Sequence, residues 1–533
     1  MASQWLKTLS HKAAHVRMLH PVYSASLGKL KNGFEFQTYP HDLFGGDAGR
    51  GRWMASGQLD IQGNRVDVDF KHWFINSDTQ PTPYFSKLHG FDFLLELKSL
   101  GGEAGRRSMR AITTEWLEQF ETYNHVVWAP DLTANRLVNW LTAYPFGFET
   151  ANDDFIDRLH ICIYRQYHHL INCLSMPNMD LFDRYACLWA LIIVQCHCDD
   201  LFDEVQFNTH LQLLKGVLDD ITLPDDGLID RNSQNYLEIA KTCLMLRQSL
   251  QIAHKKIPLW LPKIIDKMVR VLNGLLHQDK DFPHFQGAVI PNKDDIAKVT
   301  TLSGLRTRRH DMQLKDTGYT AINKSRTSII IDHGSGGVHT SPLAFEICHA
   351  NNRMVVNCGT YFKDPGWAQG LAGISAHNCL VFGDADPKLG AFHFKPSMER
   401  MNGACLFSCS HEGYKKEFGA THTRRVYVDA KGEDIRGEDL LVRNIALRPI
   451  DFVSRFHLHP MVKAVMAQDK SHVILRLNNG SGWIFTADDN VQLGLEDSIH
   501  CADGFTRRKS QQIVIKGQMD DLTCASKWTF KRQ

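Results

Sequence analysis

The period of the hydrophobic pattern changes along this chain, and that change limits what it can fold into. Between about Gly90 and Gln278, apolar residues recur at i, i+3, i+4 and i+7 in stretches such as AGRRSMRAITTEWLEQF, DDFIDRLHICIYRQYHHLINCL and PLWLPKIIDKMVRVLNGLL. This is the repeat of amphipathic helices joined by short links. From about Phe285 to Gln533 the period is two. TSIIIDH, LAFEIC, RMVVNC, RRVYVDA, HVILRLN and QQIVIKG read as short strands between Gly, Asn and Asp turns. Successive helices with short links predict a bundle or an α/α helical toroid. Many strands without intervening helices predict packed antiparallel sheets, a β-sandwich. The expected division is an irregular segment with short strands over 1–85, a toroid domain over 86–284 and a sandwich domain over 285–533. Within the first segment, GQLDIQGNRVDVDF alternates around a QGN turn and predicts a hairpin.

Composition narrows the function. A chain of 533 residues is too long for one compact core. The formal net charge is +1, so no global field recruits nucleic acid or an anionic membrane surface. A polyanion would need a local basic lining. No run of about 18 apolar residues occurs, which predicts no transmembrane helix. The N-terminal MASQWLKTLSHKAAHVRMLHPVY has no continuous apolar stretch before a cleavage site, which predicts no signal peptide. The 13 cysteines are odd in number and scattered, which predicts free thiols in a reducing, cytoplasmic compartment. Cys196 and Cys198 flank His197 on a predicted helix. Adjacent helical positions point to different faces, so core cysteines are expected there, not a metal site.

The stretch from Gly334 to Phe382 carries the candidate chemistry. His339 precedes the run LAFEI, Asn357 and Cys358 close the run MVVNC, and His377 precedes LVF. Strand ends bring side chains together from distant parts of a chain. Two histidines, an amide and a thiol can make a metal site or a proton-transfer site. Equally, both histidines can be buried and bonded to loop backbone, because no close ligand pair of the C-x-x-C or H-x-x-x-H kind is present.

The order H-x-x-x-L-x-F-E, V-V-N-C-G-T-Y, A-H-N resembles the C-terminal signature of heparinase II/III-like polysaccharide lyases. GGDAGRG, WAPDLTANRLVNW at 128–140, DGLIDRNSQNYLE at 226–238, HEGYKKEFGATHTRR at 411–425 and RFHLHP at 455–460 are similar to an uncharacterised bacterial branch of that family. The resemblance implies a helical toroid followed by a β-sandwich. It implies β-elimination on a uronate-containing acidic polysaccharide or oligosaccharide, and a periplasmic location as the alternative to a cytoplasmic one. It also implies a divalent metal, Zn or Ca, held by a His-Asp-His set. Carried over residue by residue, the ligand histidines fall on His339 and His377. The ligand aspartate falls on Asn357, with Cys358 as the alternative third donor. The family's catalytic sandwich histidine falls on Gly337. Its toroid Asn-His pair falls near Met179 and Asp180, and its tyrosine on Asn235, with Tyr236 one residue later.

The expected catalytic set is therefore Tyr236, His377 and His339. The substrate carboxylate is expected to meet Arg231, Asn232, His422, Arg424, Arg136 and Asn139. Arg231 and Asn232 open a helix, where free N–H groups favour an anion, although Asn232 as a plain N-cap explains them equally well. His422 and Arg424 are i, i+2 and share a sheet face, near His411 and Tyr414. Arg136 and Asn139 lie on one predicted helix with Trp140, which is either a sugar platform or core. His168 and Tyr164 are i, i+4 neighbours on another helix. The expected activity is that of a lyase. Gly337, Asn357 and Met179-Asp180 motivate the alternative, a non-catalytic glycan-binding or polysaccharide-assembly protein on the same fold.

Overall fold

A computed structural model of the chain describes residues 22–28, 35–61, 64–67, 74, 83–306, 308–383, 386–387, 395–444 and 448–533. Contacts divide the chain into two units, one of 1–221 and 241–265, the other of 222–240 and 266–533. The helical stretches 233–240 and 266–275 thus group with the strands.

The first unit is built from the predicted helices. Gly102–Phe120, Pro130–Gly147, Asp153–Leu174, Leu181–His197 and Glu204–Ile221 follow one another. Their ends obey local chemistry. Pro130 opens its helix, where a missing N–H costs nothing. Asn152 caps the next by accepting from the Phe155 N–H at 2.9 Å. Leu181–His197 packs against both Pro130–Gly147 and Glu204–Ile221, so helices two apart in sequence touch as well as neighbours. That alternation is the packing of an α/α toroid. Trp116 and Trp140 are fully buried and meet edge to face at 5.3 Å. Trp140 is therefore core and no sugar platform. Near the start, Gln58–Ile61 pairs antiparallel with Asn64–Asp67, as the hairpin pattern predicts.

The second unit is a sandwich. Its eight-stranded sheet runs in the order Ser397–Met401, Ala404–His411, Ala420–Val428, Asp434–Arg443, Thr523–Arg532, Gly482–Ala487, His472–Arg476, Lys463–Met466. A five-stranded sheet holds Met312–Leu314, Tyr319–Lys324, Thr327–Asp332, Phe345–His349 and Asn352–Val355 in chain order. Another runs Gly359–Tyr361, Gln492–Gly504, Arg508–Met519, Ile450–His457, Leu380–Phe382. Burial alternates residue by residue along Ala420–Val428, as a half-buried strand requires. One core joins all three sheets: Phe345 stacks on Trp528 at 5.3 Å, and Phe456 meets Trp528 at 5.1 Å. Apolar burial of this extent is the main term holding the sheets together.

Among the described residues, two helices of eight residues or more interrupt the strand region, besides the short Lys415–Phe418. Lys293–Ser303 starts at Asn292, whose Oδ1 accepts from the Asp294 N–H at 3.1 Å, and stops at left-handed Gly304. Pro365–Ala372 is capped by Asp364, which accepts from the Trp367 N–H at 2.8 Å. The period-two reading passes over both, although Asn292, Asp294, Asp295 and Gly304 are ordinary start and stop signals.

Candidate functional site

The turn 333–341 sits on the end of strand Thr327–Asp332 and is locked from beneath. Arg231 is buried, with its Nε donating to the Thr317 carbonyl at 2.8 Å and Nη1 to the Gly336 carbonyl at 2.7 Å. Its Nη2 donates to the Asp332 carboxylate, and its guanidinium lies 5.0 Å from the Tyr319 ring centre. Gln286 closes the other side. Its Oε1 accepts from the His339 N–H at 3.0 Å, and its Nε2 donates to Asp332 Oδ2 at 3.2 Å. A Cβ on Gly337 would lie 2.1 Å from Gln286 Oε1, and Gly337 has φ of +102°. No histidine fits there without moving Gln286.

The residues carried over for acid–base work are equally committed. Tyr236 is buried, and its hydroxyl oxygen accepts from the Leu228 N–H at 2.7 Å. Burial pushes its phenol well above the ordinary range, so it is poorly suited to exchanging protons near neutral pH. Asn235, at the family's tyrosine position, donates to the Asp230 carboxylate. Asn232 Oδ1 accepts from the Gln234 N–H at 2.9 Å, which is capping. Arg231 does not present its guanidinium to an incoming anion, because Asp332 and two carbonyls already hold it.

His339 and His377 do come together, with ring centres 5.0 Å apart. Burial pushes the His339 imidazole down to about 4. His377 is held well below the usual range by burial first, then by His339 and His457. Neither ring nitrogen of His377 makes a well-formed hydrogen bond, although the Leu371 backbone lies near the ring. His339 Nδ1 likewise has no partner. This pair offers imidazole donors, but the third position does not complete a set. Asn357 Nδ2 donates to Glu346 Oε1 at 3.1 Å, and its Oδ1 accepts from the Asn378 N–H at 3.1 Å. Cys358 points the other way, its Sγ 3.4 Å from His457 Nδ1. Burial holds that thiol up at about 12. Among the described residues no group of three or more His, Cys, Asp or Glu side chains is placed to hold a metal ion. The donors present do not fit a His-Asp-His metal site.

The remaining candidates lie inside the two units. His422 and Arg424 share a face as their spacing predicts, but it is the sealed inner face. His422 Nε2 donates to Asp439 Oδ1 at 2.9 Å, and Arg424 takes both Asp439 oxygens at 2.7 and 3.0 Å. His411 Nε2 lies 3.0 Å from His422 Nδ1, and the Tyr414 hydroxyl donates to the Leu380 carbonyl at 2.7 Å. In the helical unit Arg136 is fully buried, donating to Gln166 Oε1 at 2.9 Å and the His89 carbonyl at 2.8 Å, with Trp116 4.3 Å below. Asn139 Nδ2 donates to the Gly90 carbonyl at 2.9 Å and Asp92 Oδ1 at 3.0 Å. Asp180 caps the helix Leu181–His197, accepting from the Phe182 N–H at 2.8 Å. Tyr164 and His168 meet edge to face at 4.4 Å. His197 Nδ1 lies 2.7 Å from Thr38 Oγ1, and all 13 cysteines are free.

What remains open is a pocket of about 820 Å³ on the sandwich unit, lined by Asp364, Trp367, Ser375, His457, Asp497 and Ser498 among others. Trp367 is 40% exposed there, with the Arg507 guanidinium 4.6 Å from its ring centre. The His457 imidazole donates from Nε2 to the Ser375 carbonyl at 3.0 Å, leaving Nδ1 to accept from the Ser498 hydroxyl at 2.8 Å. The sequence reading did not single out Trp367. Its signal was an aromatic residue just after the Asp-Pro helix start.

Residues 306–529 match the family described as heparinase II/III-like, C-terminal. The chain is similar to FtsZ-localized protein C of Caulobacter vibrioides, with 26% identity over 522 residues, 90% of this chain and 87% of that protein. Its fold is similar to a heparinase III crystal structure (TM-score 0.74, 13% identity, 98% of this chain and 91% of that one). It is also similar to heparan sulfate lyase HepC from Pedobacter heparinus (TM-score 0.63, 13% identity, 100% and 88%). At these identities the structural likeness concerns the fold. No helix among the described residues is long and apolar enough to cross a membrane.

Proposed function

This chain belongs to the heparinase II/III-like family, and on that footing we propose that it is a non-catalytic member, an assembly protein that holds a glycan and works at the division site. The observation that carries the reading is the closed turn at Gly337. The family's proton-transferring histidine has no room there, because Gln286 fills the space. Tyr236 and Asn235 are tied to backbone and carboxylate, so the acid–base pair for β-elimination has no obvious replacement. Fold and function are separable in this way. The similarity to FtsZ-localized protein C supports placement with the division machinery. The 13 free cysteines agree with a reducing compartment. The glycan surface in this reading is the Trp367 pocket, where an indole face and carboxylates suit a sugar ring.

Two experiments test it. Purified protein is incubated with heparinoid, alginate, chondroitin and bacterial acidic glycans while the absorbance of the unsaturated uronate is followed. No rise is expected, and a rise would overturn the non-catalytic reading. A fluorescent fusion in the protein's own cells should sit with FtsZ and disperse when FtsZ is depleted. A distribution indifferent to FtsZ would overturn the division-site half.

The lyase reading retains one specific support. His339 and His377 are adjacent, and their imidazoles hold ring nitrogens without partners. If the absorbance rises, His377→Ala is the variant that should abolish it.

A further inference from the structure

A second concavity, remote in sequence from the Gly334–Phe382 stretch, is lined by an unusual set of charges. It is a pocket of about 480 Å³ between the helices Trp260–Leu275 and Lys293–Ser303 and residues 305, 306 and 308–310. Arg270, Lys280, Lys293, Arg306, Arg308 and Arg309 line it, and among the described residues no carboxylate does. In a chain whose formal net charge is +1, six cations around one pocket are a strong local excess. Little of that charge is neutralised. Arg270 reaches Asp226 only at 4.0 Å, and Lys267 holds that carboxylate more closely, at 2.6 Å. Asp279 is in an ion pair with Arg353 at 2.8 Å, and the hydrogen bond that Lys293 makes to this residue goes to its backbone carbonyl, at 3.0 Å. Arg309 donates from Nη2 to the His277 carbonyl, while its buried Nη1 has no partner. Such a group lacks the acceptor that buried donors normally have.

The floor is of another kind. Leu276 and Ile296 are buried and, with the half-buried Leu305, supply apolar surface beside the cations. Guanidinium forks pair bidentately with carboxylate and phosphate alike, but a phosphate ester, with three terminal oxygens, can engage more than one fork at once. The volume is that of a small-molecule site. A bare inorganic ion would leave the apolar floor uncovered.

We propose that this pocket binds a small organic phosphate. Its phosphate group meets Arg306, Arg308 and Arg309, and its organic part lies on Leu276, Ile296 and Leu305. The proposal is independent of the non-catalytic reading above, since it uses none of the same residues.

The test is titration of the full chain with AMP, glucose 6-phosphate and inorganic phosphate at low and moderate salt. At least one organic phosphate should bind more tightly than inorganic phosphate, and salt should weaken it. Arg306→Ala combined with Arg308→Ala should weaken that binding tenfold or more. Both side chains are exposed, so the fold should survive, and an unchanged melting temperature verifies this. Arg436→Ala, at an exposed arginine paired with Asp434, should change nothing. A further variant, Ala297→Glu, places a carboxylate on the exposed part of the pocket lining and should also abolish binding. The proposal is overturned if no phosphate binds at low salt, if inorganic phosphate binds as tightly as the esters, or if the double variant binds like the parent. Equal displacement by a sulfated disaccharide would overturn it in favour of a glycan.

Discussion

Gln286 Oε1 occupies the position from which a side chain at Gly337 would have to grow, 2.1 Å from where the Cβ would stand. Gly337→His should therefore destabilise the protein instead of restoring an acid–base group. The left-handed backbone alone costs a non-glycine residue about 1–2 kcal/mol. Thermal melting should show a loss of several degrees, and Gln286→Ala in the same chain should recover part of it. Equal melting of Gly337→His and the parent would show that Gln286 swings away freely.

Tyr236→Phe tests whether the phenol serves structure alone. Its hydroxyl satisfies the Leu228 N–H inside the protein. A buried donor left without an acceptor costs about 1–3 kcal/mol. Denaturant unfolding should register that loss, while glycan binding at Trp367 stays unchanged.

Asp439 in the sandwich accepts from His422, from two nitrogens of Arg424 and from Trp528 Nε1 at 3.1 Å. Arg424→Met strands a buried carboxylate, and breaking such a pair costs about 3–5 kcal/mol. The double change Arg424→Met with Asp439→Leu should be less damaging than the single one, because no charge is left unpaired. Equilibrium unfolding of the two variants gives the comparison.

Trp367→Ala should abolish oligosaccharide binding without altering the melting temperature, since the indole is 40% exposed. Intrinsic fluorescence titration of the parent and glycan pull-down of the variant measure it. Unchanged pull-down would remove the glycan surface from this pocket.

Acid should unfold the protein early. Burial pushes the imidazoles of His169, His277 and His457 down to about 4 from an ordinary value near 6.5. The unfolded chain then binds more protons than the folded one between those values, so stability falls as pH drops through that window. It is fully present above about 6.5. Melting temperatures at constant ionic strength, taken from pH 7.5 down to pH 4, should decline steadily.

Much of the architecture could be read from periodicity, because helix and strand repeats are local. The i, i+2 spacing correctly put His422 and Arg424 on one face. Which face that was depended on Asp439, whose strand comes later in the chain and pairs in a register that places it opposite Arg424. Arg136 misled for the same reason: its acceptors include the carbonyls of His89 and Val127 and the Gln166 amide, which no spacing rule brings together. The helix Lys293–Ser303 was readable from its caps and was missed because neighbouring segments alternated. Gln286, which closes the turn at Gly337, lies in a passage without pattern, and its importance comes only from three-dimensional proximity.

The strand Thr523–Arg532 sits in the middle of the eight-stranded sheet, between Asp434–Arg443 and Gly482–Ala487. It follows all seven of its sheet-mates in sequence. While the chain is being synthesised, each half of that sheet waits with an open edge of unpaired amides and carbonyls. The two inner borders of that sheet can therefore be closed only once residues 523–532 are available. Chaperones that shield nascent strands have a physical reason to attend its biogenesis.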